Sequence, residues 1–257
     1  MESLWGEEFE IKERTQTDLG EVNKSNRIIL THQDCIKFLN TIDNDSVDLA
    51  LIDPPYGISR DSNFCKSSDD SITPRVNMNF GDWDNSFDKL DEVILEIYRV
   101  LKPGGTLICF YDIWKLTTLR EWFENARFNQ IRFIEWVKTN PAPINSKLNY
   151  LTNAREIAVT GVKGGNPTFN SVHDNGIYYY PLCADEGKFH PTQKPVELIK
   201  DLIEKHSNIG ELVLDCFSGS GTTAAAAYLT NRNFIGCELD DEYYIKSVDR
   251  LKLLGAL

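Results

Sequence analysis

Short apolar runs alternate with helically spaced segments along most of this chain. The runs RIILTH at 27–32 and VDLALIDPPY at 47–56 are rich in branched apolar residues, which is typical of strands covered on both faces. Residues 87–102 place their apolar side chains on one helical face. Further strands are predicted at 106–111, 130–138, 155–163, 211–217 and 233–239, and further helices at 35–42, 116–126, 195–207, 222–230 and 241–254. This alternation predicts an α/β fold built on a doubly wound sheet.

Three stretches lack the periodic spacing of apolar residues that predicts a strand or a helix. Residues 1–26 are polar and are expected to form a flexible arm or a loosely docked helix. Residues 57–86 are predicted to be a long loop and residues 164–189 an irregular segment. No apolar run approaches the roughly 20 residues that a membrane span requires. A single domain over 27–257, with no membrane association, is therefore expected.

Composition narrows the class of protein. The formal net charge is −12, and none of the six cysteines has a partner at C-x-x-C spacing, so no metal site is expected. Several cysteines lie inside apolar runs and are interpreted as small buried residues in a reducing compartment. The N-terminal residues are acidic and polar and lack the order of a secretion signal. These features together predict a cytoplasmic location.

The tetrapeptide Asp53-Pro54-Pro55-Tyr56 ends a predicted strand, where open α/β sheets bind their ligands. The prolines lack N–H groups and hold the chain extended, which leaves the Pro54 carbonyl free beside the Asp53 carboxylate. Two adjacent acceptors suit an exocyclic amine, which offers two donor hydrogens, and Tyr56 can stack on a base. The same tetrapeptide would also serve as a strand-ending turn with a buried tyrosine.

A second strand runs into a glycine turn and then a helix at Leu214–Thr223, LDCFSGSGTT. Gly219 and Gly221 allow a sharp bend and a close approach of the backbone to a ligand. Ala224 replaces the third glycine of a dinucleotide motif, and no G-K-[ST] follows, so neither that motif nor a phosphate loop is present. Glu238 ends the next strand and can accept both hydroxyls of a ribose. An ordinary glycine turn remains an alternative.

The hexapeptide HPTQKP at 190–195 is the third candidate segment. Lys194 or Thr192 can meet an amino-acid carboxylate, whereas His190 would equally serve as a structural cap.

Taken together, the three segments resemble the amino-methyltransferases of DNA in their beta-class order. In that order the D-P-P-Y segment comes first, the target-recognition region follows, and the cofactor motif F-x-G-x-G comes last. The resemblance covers about 27–250. It implies a Rossmann-like fold with seven strands, one of them antiparallel, a recognition insertion at 164–189, and S-adenosylmethionine as the cofactor. It also places KTNPAP, 138–143, near an extruded base.

The resemblance also assigns residue roles. Asp53, Pro54, Pro55 and Tyr56 would be catalytic. Glu238 would bind the cofactor ribose, Asp215 would lie near its amino group, and Asp34 would accept from its adenine amine. Lys194 and Thr192 would approach the methionine carboxylate. The full set assigned to the cofactor is Asp34, Cys35, Asp53, Thr192, Lys194, Asp215, Phe217, Ser218, Gly219, Ser220, Gly221, Thr222 and Glu238.

The function predicted on this basis is methylation of adenine N6 in DNA, as in restriction–modification. Asp53 favours adenine, because serine at that position resembles the enzymes that act on cytosine N4. Cytosine N4, single-stranded DNA, RNA, a glutamine amide of a protein and a non-catalytic subunit stay open as alternatives. The acidic balance is unusual for a DNA partner. Residues 127–194 are less acidic, with eight basic and five acidic side chains. The short recognition stretch makes a homodimer or a helper chain a further expectation.

Overall fold

The computed structural model describes residues 27–56, 87–141, 151–183 and 193–257. These ranges form one eight-stranded sheet flanked by helices. The strands are β1 (Ile28–His32), β2 (Val47–Ile52), β3 (Leu101–Tyr111), β4 (Asn129–Lys138), β5 (Arg155–Val162), β6 (Ile177–Tyr180), β7 (Leu212–Asp215) and β8 (Asn233–Glu238). The helices are α1 (Cys35–Leu39), α2 (Leu90–Val100), α3 (Leu116–Asn125), α4 (Val196–His206), α5 (Thr222–Leu229) and α6 (Asp241–Leu253), and a 3-10 turn at Ile113–Lys115 precedes α3.

Two apolar layers form because β2 alternates its side chains between both faces of the sheet. Ala50 and Ile52 pack against the layer that contains α1, α2 and α3. Leu49 and Leu51 pack against the opposite layer, which contains α4, α5 and α6. All four side chains are buried, as expected for a strand at the centre of a doubly wound sheet.

The strand order is β1-β8-β7-β2-β3-β5-β4-β6. Only β5 runs antiparallel to its neighbours, β3 and β4, among the paired strands described. The chain therefore winds outward in both directions from the β2–β7 pair. At such a switch point the loops that follow the two strands diverge and leave a crevice. The predicted doubly wound α/β fold with one antiparallel strand is confirmed.

The predicted number of strands is wrong, because eight rather than seven lie within the described residues. The extra strand is β6, which falls inside the segment 164–189 that was expected to be irregular. It has only four residues, IYYY, and pairs in parallel with β4. The Trp136 indole also donates to the Tyr180 carbonyl at 2.9 Å. Pairing with β4 therefore stabilises β6 as a strand, whereas four residues are too few for their sequence to predict one.

The predicted end of the helix at residue 102, directly before Pro103-Gly104-Gly105, is also corrected. Helix α2 already ends at Val100, and β3 begins at Leu101 and runs through these three residues. A register shift in the pairing with β2 accommodates them. The predicted arm (1–26), the loop (57–86), Thr192, His190, residues 142–143 and residues 184–189 lie outside the described residues. Within the described ranges, no helix is long and apolar enough to cross a membrane.

Gly236 in β8 is the point at which the β7 turn packs against its neighbouring strand. A Cβ atom there would lie 2.5 Å from the Asp215 carbonyl oxygen, 2.5 Å from the Phe234 ring and 2.7 Å from Ser218 Oγ. We therefore expect Gly236→Ala to lower the free energy of unfolding by about 1–3 kcal/mol, because backbone must move to admit the methyl group. Chemical denaturation measures this, and an unchanged unfolding midpoint would contradict the packing described.

Candidate active site

The end of β2 carries a hydrogen-bonded aspartate and tyrosine. Asp53 follows the last residue of β2 and is half-buried, and the next residue, Pro54, is buried. The Tyr56 hydroxyl donates to Asp53 Oδ1 at 2.7 Å. The Tyr56 ring meets Tyr111 of β3 edge-on, with the ring centroids 5.6 Å apart. Lys115 Nζ donates to the Tyr56 carbonyl at 2.6 Å, so the segment after β2 is tied to the turn after β3.

A buried lysine reaches the same aspartate from a distant part of the chain. Lys194, which precedes α4, places Nζ 2.5 Å from Asp53 Oδ2 and 3.1 Å from Glu156 Oε2. Its ammonium also lies 4.9 Å from the centroid of the Phe110 ring. Lys138, at the end of β4, pairs with the other oxygen of Glu156 at 2.8 Å. Two acids and two bases from four separate segments thus form one network.

The network holds Glu156 and Lys194 in their charged forms. Burial alone would raise the pKa of Glu156, but Lys194 and Lys138 outweigh it and the pKa is lowered. Burial alone would lower the pKa of Lys194, but Asp53 and Glu156 outweigh it and the pKa is raised. Burial, followed by the charge of Asp53, raises the pKa of Tyr56 well above its usual value. At neutral pH the lysine is therefore cationic, Glu156 is anionic and the tyrosine is a hydrogen-bond donor.

The end of β7 forms the predicted glycine bend. Asp215 Oδ1 accepts from the Phe217 amide at 2.9 Å, and the Gly221 amide donates to the Ser218 carbonyl at 2.7 Å. Gly219 and Gly221 have φ values of 48° and 68°, a region that favours glycine. Helix α5 begins directly after the bend, at Thr222.

The hydroxyl groups of the bend support it from within. Ser218 Oγ donates to the Asp215 carbonyl at 3.1 Å. Ser220 Oγ and Thr222 Oγ1 lie 2.9 Å apart, and the Arg250 guanidinium donates to Thr222 Oγ1 at 3.0 Å. Ser218, Ser220 and Thr222 are buried, and their hydroxyl groups bond within the protein. The contact that was predicted between these residues and a cofactor stays a prediction.

Phe217 and Tyr56 face the same side of the sheet. Phe217 is partly buried and meets the Phe87 ring edge-on at 5.3 Å. Both Phe217 and Tyr56 pack against the apolar layer of α1, α2 and α3. The two motifs therefore border one region.

The ends of β8 and β1 add two further carboxylates. Glu238 Oε2 accepts from the Gly219 amide at 2.6 Å, and Oε1 accepts from the amides of Leu239 and Asp240. Asp34 caps α1 by accepting from the Lys37 amide at 3.1 Å. Cys35 beside it is buried, and burial together with Asp34 raises its pKa to about 12. The Gln33 amide donates to the Glu238 carbonyl, which joins the ends of β1 and β8.

Four carboxylates therefore follow the ends of four adjacent strands, and we call them the carboxylate row. In sheet order they are Asp34 after β1, Glu238 of β8, Asp215 of β7 and Asp53 after β2. Neighbouring strands lie about 4.8 Å apart, so the row spans roughly 14 Å. The row suits an elongated, cationic ligand with hydroxyl and amino donors along its length.

Within the carboxylate row, Asp215 has a strongly raised pKa. Burial raises its pKa to about 7, against the lowering effect of hydrogen bonds from Thr223 and the Phe217 amide. The negative charges of Asp53 and Glu238 raise it further. A cation placed beside Asp215 would relieve this repulsion.

Glu156 was not predicted to belong to this site, and Lys138 was predicted only as part of the segment 138–143 near an extruded base. A glutamate inside the strand REIAVTGV was the available signal, since charged residues are seldom placed in buried strands without a partner. Lys194 was predicted near a methionine carboxylate, whereas the structure pairs it with Asp53 and Glu156. Its contact with a cofactor stays a prediction. The described residues contain no group of three His, Cys, Asp or Glu side chains suited to a metal ion.

Comparison with curated proteins finds close relatives among restriction-system methyltransferases. The chain is 31% identical over 245 residues to the type II methyltransferase M2.DpnII of Streptococcus pneumoniae, covering 85% of this chain and 87% of that protein. It is also 31% identical over 230 residues to the type II methyltransferase M2.MboI of Moraxella bovis, covering 81% and 82%.

Solved structures agree with this comparison. The complex of M1.HpyAVI with S-adenosylmethionine matches at a TM-score of 0.66 with 28% identity, over 87% of this chain and 98% of that one. The cytosine-N4-specific PvuII methyltransferase matches at 0.69 over 88% and 86%, and at 18% identity it shows the shared fold alone. A family model described as DNA methylase, of the N6 and N4 type, matches residues 47–249. The predicted family and enzyme class are confirmed: the chain belongs to the N6/N4 DNA methylase family.

Proposed function

We propose that this chain transfers a methyl group from S-adenosylmethionine to the N6 amino group of adenine in DNA. The carboxylate row carries this proposal, because its order along the sheet edge matches the order of groups in the cofactor. Asp34 would accept from the adenine amine, Glu238 from the ribose hydroxyls and Asp215 from the ammonium group. Asp53, the last member, is then left for the target amine.

The chain's own contacts fit such a ligand. Three backbone amides already bind Glu238, so its carboxylate is held in one orientation before a ribose arrives. The positive φ angles of Gly219 and Gly221 bring backbone close to the space in front of β7. M1.HpyAVI, which has been solved with S-adenosylmethionine, supports the same donor for this chain. When bound, the cofactor supplies a methyl group activated by a sulfonium.

Asp53 and the Pro54 carbonyl are the proposed acceptors for the target amine. The nitrogen lone pair of an aromatic amine is delocalised into the ring, so the amine is a poor nucleophile. Hydrogen bonds from both N–H groups favour a tetrahedral nitrogen whose lone pair points at the methyl group. A nitrogen–carbon bond then forms as the carbon–sulfur bond breaks, and the nitrogen loses one proton to solvent. Alignment of this kind supplies roughly 7–11 kcal/mol of barrier reduction.

Base extrusion gives Tyr56 its proposed role. A duplex target must leave its stack to reach Asp53, at a cost of a few kcal/mol. Stacking on an aromatic ring contributes about 1–3 kcal/mol and offsets part of that cost. The Tyr56 ring is positioned by the bond from its hydroxyl to Asp53 and by the edge contact with Tyr111.

Adenine is favoured over cytosine by the aspartate at position 53. Both target amines present two donors to paired acceptors, and the PvuII cytosine-N4 enzyme shares the fold. The distinction therefore rests on the motif residue. The type II relatives also support a place in a restriction–modification system. Buried thiols at Cys35, Cys109, Cys216 and Cys237 support the predicted reducing, cytoplasmic compartment.

A homodimer stays a proposal. The outer strands β4 and β6 leave one sheet face partly uncovered, with Phe133 67% and Tyr179 64% exposed. Glu135 of β4 pairs with Ile177 of β6, and Val137 pairs with Tyr179. Because side chains alternate along a strand, Phe133 lies on the same face as Val137 and therefore on the same face as Tyr179. An uncovered aromatic face supports contact with a second chain.

The first prediction for this function concerns the product. Duplex DNA methylated with isotopically labelled S-adenosylmethionine and digested to nucleosides should carry the label in N6-methyladenine. Asp53→Ala should abolish transfer while the affinity for S-adenosylhomocysteine stays near that of the wild type, because Asp53 holds the amine. Label found only in 4-methylcytosine would overturn the adenine assignment. Near-native turnover by Asp53→Ala would overturn the mechanism.

The second prediction concerns proton release at Asp215, whose pKa is about 7. An ammonium beside Asp215 favours the ionised carboxylate, so below pH 7 ligand binding must release a proton. The affinity for S-adenosylhomocysteine, which carries the same ammonium, should therefore weaken by up to about tenfold per pH unit below 7 and level off above it. Calorimetry in buffers of different ionisation enthalpy measures the released proton.

Asp215→Asn is the control for this linkage. It should bind the ligand more weakly at pH 8 and should lose the proton release below pH 7. A wild-type affinity that does not change between pH 6 and pH 8 would contradict the placement of the ammonium at Asp215.

A further inference from the structure

Both oxygens of the proposed catalytic carboxylate already hold donors. The Tyr56 hydroxyl binds Asp53 Oδ1 at 2.7 Å, and the Lys194 ammonium binds Asp53 Oδ2 at 2.5 Å. A target amine that donates to Asp53 must therefore share an oxygen with one of these donors or replace it. The Lys194 ammonium is the harder donor to displace from Asp53, because an ammonium–carboxylate hydrogen bond is roughly twice as strong as a neutral one.

Lys194 cannot simply be released from Asp53. Its side chain is only 7% exposed, and an unpaired buried cation costs several kcal/mol. Glu156 offers a second place for the same ammonium, 3.1 Å from Lys194 Nζ. The glutamate is itself anchored, since Lys138 holds its other oxygen at 2.8 Å. A small shift of Nζ from Asp53 towards Glu156 keeps the lysine paired throughout.

The antiparallel strand β5 explains how a glutamate comes to be there. The first residues of β5 lie at the edge of the sheet where its antiparallel neighbours β3 and β4 end. Glu156 is the second residue of β5, and it pairs with Trp136 near the end of β4. Because β5 runs antiparallel, the carboxylate of Glu156 lies next to Lys194, at the sheet edge that carries the carboxylate row.

We propose that Glu156 is a positioning residue for methyl transfer: it receives the Lys194 ammonium when Asp53 accepts the target amine. This inference rests on the proposed function. Without the charge of Glu156, Lys194 has Asp53 as its remaining charged partner, and the Asp53–Lys194 bond tightens. The target amine then competes less well for Asp53, whereas the glycine bend and Glu238 are untouched.

Glu156→Gln tests this proposal, because it removes the charge and keeps the shape. The matched control is Glu135→Gln, on β4, where an 18% exposed carboxylate pairs with Arg155 at 3.2 Å. We expect kcat to fall by about 10-fold to 100-fold in Glu156→Gln. Its affinity for S-adenosylhomocysteine should stay within about twofold of wild type, and Glu156→Asp should recover part of kcat.

A second readout separates positioning from stability. A duplex with 2-aminopurine next to the target adenine, bound with S-adenosylhomocysteine, should show less fluorescence increase with Glu156→Gln than with wild type or Glu135→Gln. Equal kcat values for Glu156→Gln and Glu135→Gln at matched folded fractions would overturn the role of Glu156. Absence of methyl transfer by the wild type would instead overturn the proposed function itself.

A second observation stands apart from this network. The 3-10 turn after β3 presents Trp114 with 90% of its surface exposed, next to Ile113 at 53%. The turn is ordered rather than loose, since Asp112 Oδ1 accepts from the Trp114 amide at 3.1 Å. The next residue, Lys115, donates to the carbonyl of Tyr56. The backbone that carries this exposed indole is therefore held beside the segment Asp53–Tyr56.

The location of this turn indicates its partner. The ends of β2 and β3 are adjacent, so a polynucleotide that delivers a base to Asp53 must pass over the rim that carries Trp114. We propose that Trp114 stacks on a DNA base next to the target. Stacking does not require basic side chains, which suits a chain of net charge −12.

Trp114→Ala should weaken binding to a fluorescein-labelled oligonucleotide that carries the methylated site by about tenfold to a hundredfold. Trp114→Phe should retain most of the affinity. Ile209→Ala is the matched control, because Ile209 is 71% exposed but precedes β7, at the opposite edge of the sheet. Anisotropy titrations give the affinities. Equal affinity of Trp114→Ala and wild type would overturn the contact, while methylation by the wild type would leave the proposed function standing.

Discussion

The hydrogen-bonded pairing of β2 with β7 is the constraint on which the rest of this protein depends. It sets Leu49 against Val213 and Ala50 against Leu214, although about 160 residues separate the partners. The chain continues from the two strands in opposite directions across the sheet, so their ends leave a crevice. Asp53 lies on one side of that crevice and the glycine bend on the other. In the proposed function neither segment acts alone, because the pairing sets the two side by side.

Charge is arranged around this crevice in two parts. Towards β1, three members of the carboxylate row, Asp34, Glu238 and Asp215, suit a cationic ligand. Towards β4, lysine residues 138 and 194 neutralise Glu156 and hold Asp53. The overall acidity of the chain therefore does not describe the local electrostatic field at this edge of the sheet. In the proposed function, attraction of the cofactor and stacking of bases would be the main contributions to binding, in place of a broad basic surface.

Much of the fold and part of the site could be predicted from the sequence. The helices and most strands have strong apolar periods, and the motifs that end β2 and β7 are encoded by contiguous residues with special backbone requirements. Strand β6 could not be predicted, because four residues gain their order from β4. The Glu156–Lys194–Asp53 contacts could not be predicted either, since they join residues up to 141 positions apart through an antiparallel strand. A glutamate near the start of a buried strand was their only local sign.

The central claim is that the tips of adjacent strands hold the cofactor and the target amine against each other. A crystal structure of the chain with S-adenosylhomocysteine tests it most directly. The account predicts that the ligand lies along the carboxylate row, with its adenine near Asp34, its ammonium at Asp215 and its sulfur facing Asp53. A ligand bound away from the glycine bend, or a sulfur separated from Asp53 by protein atoms, would contradict it.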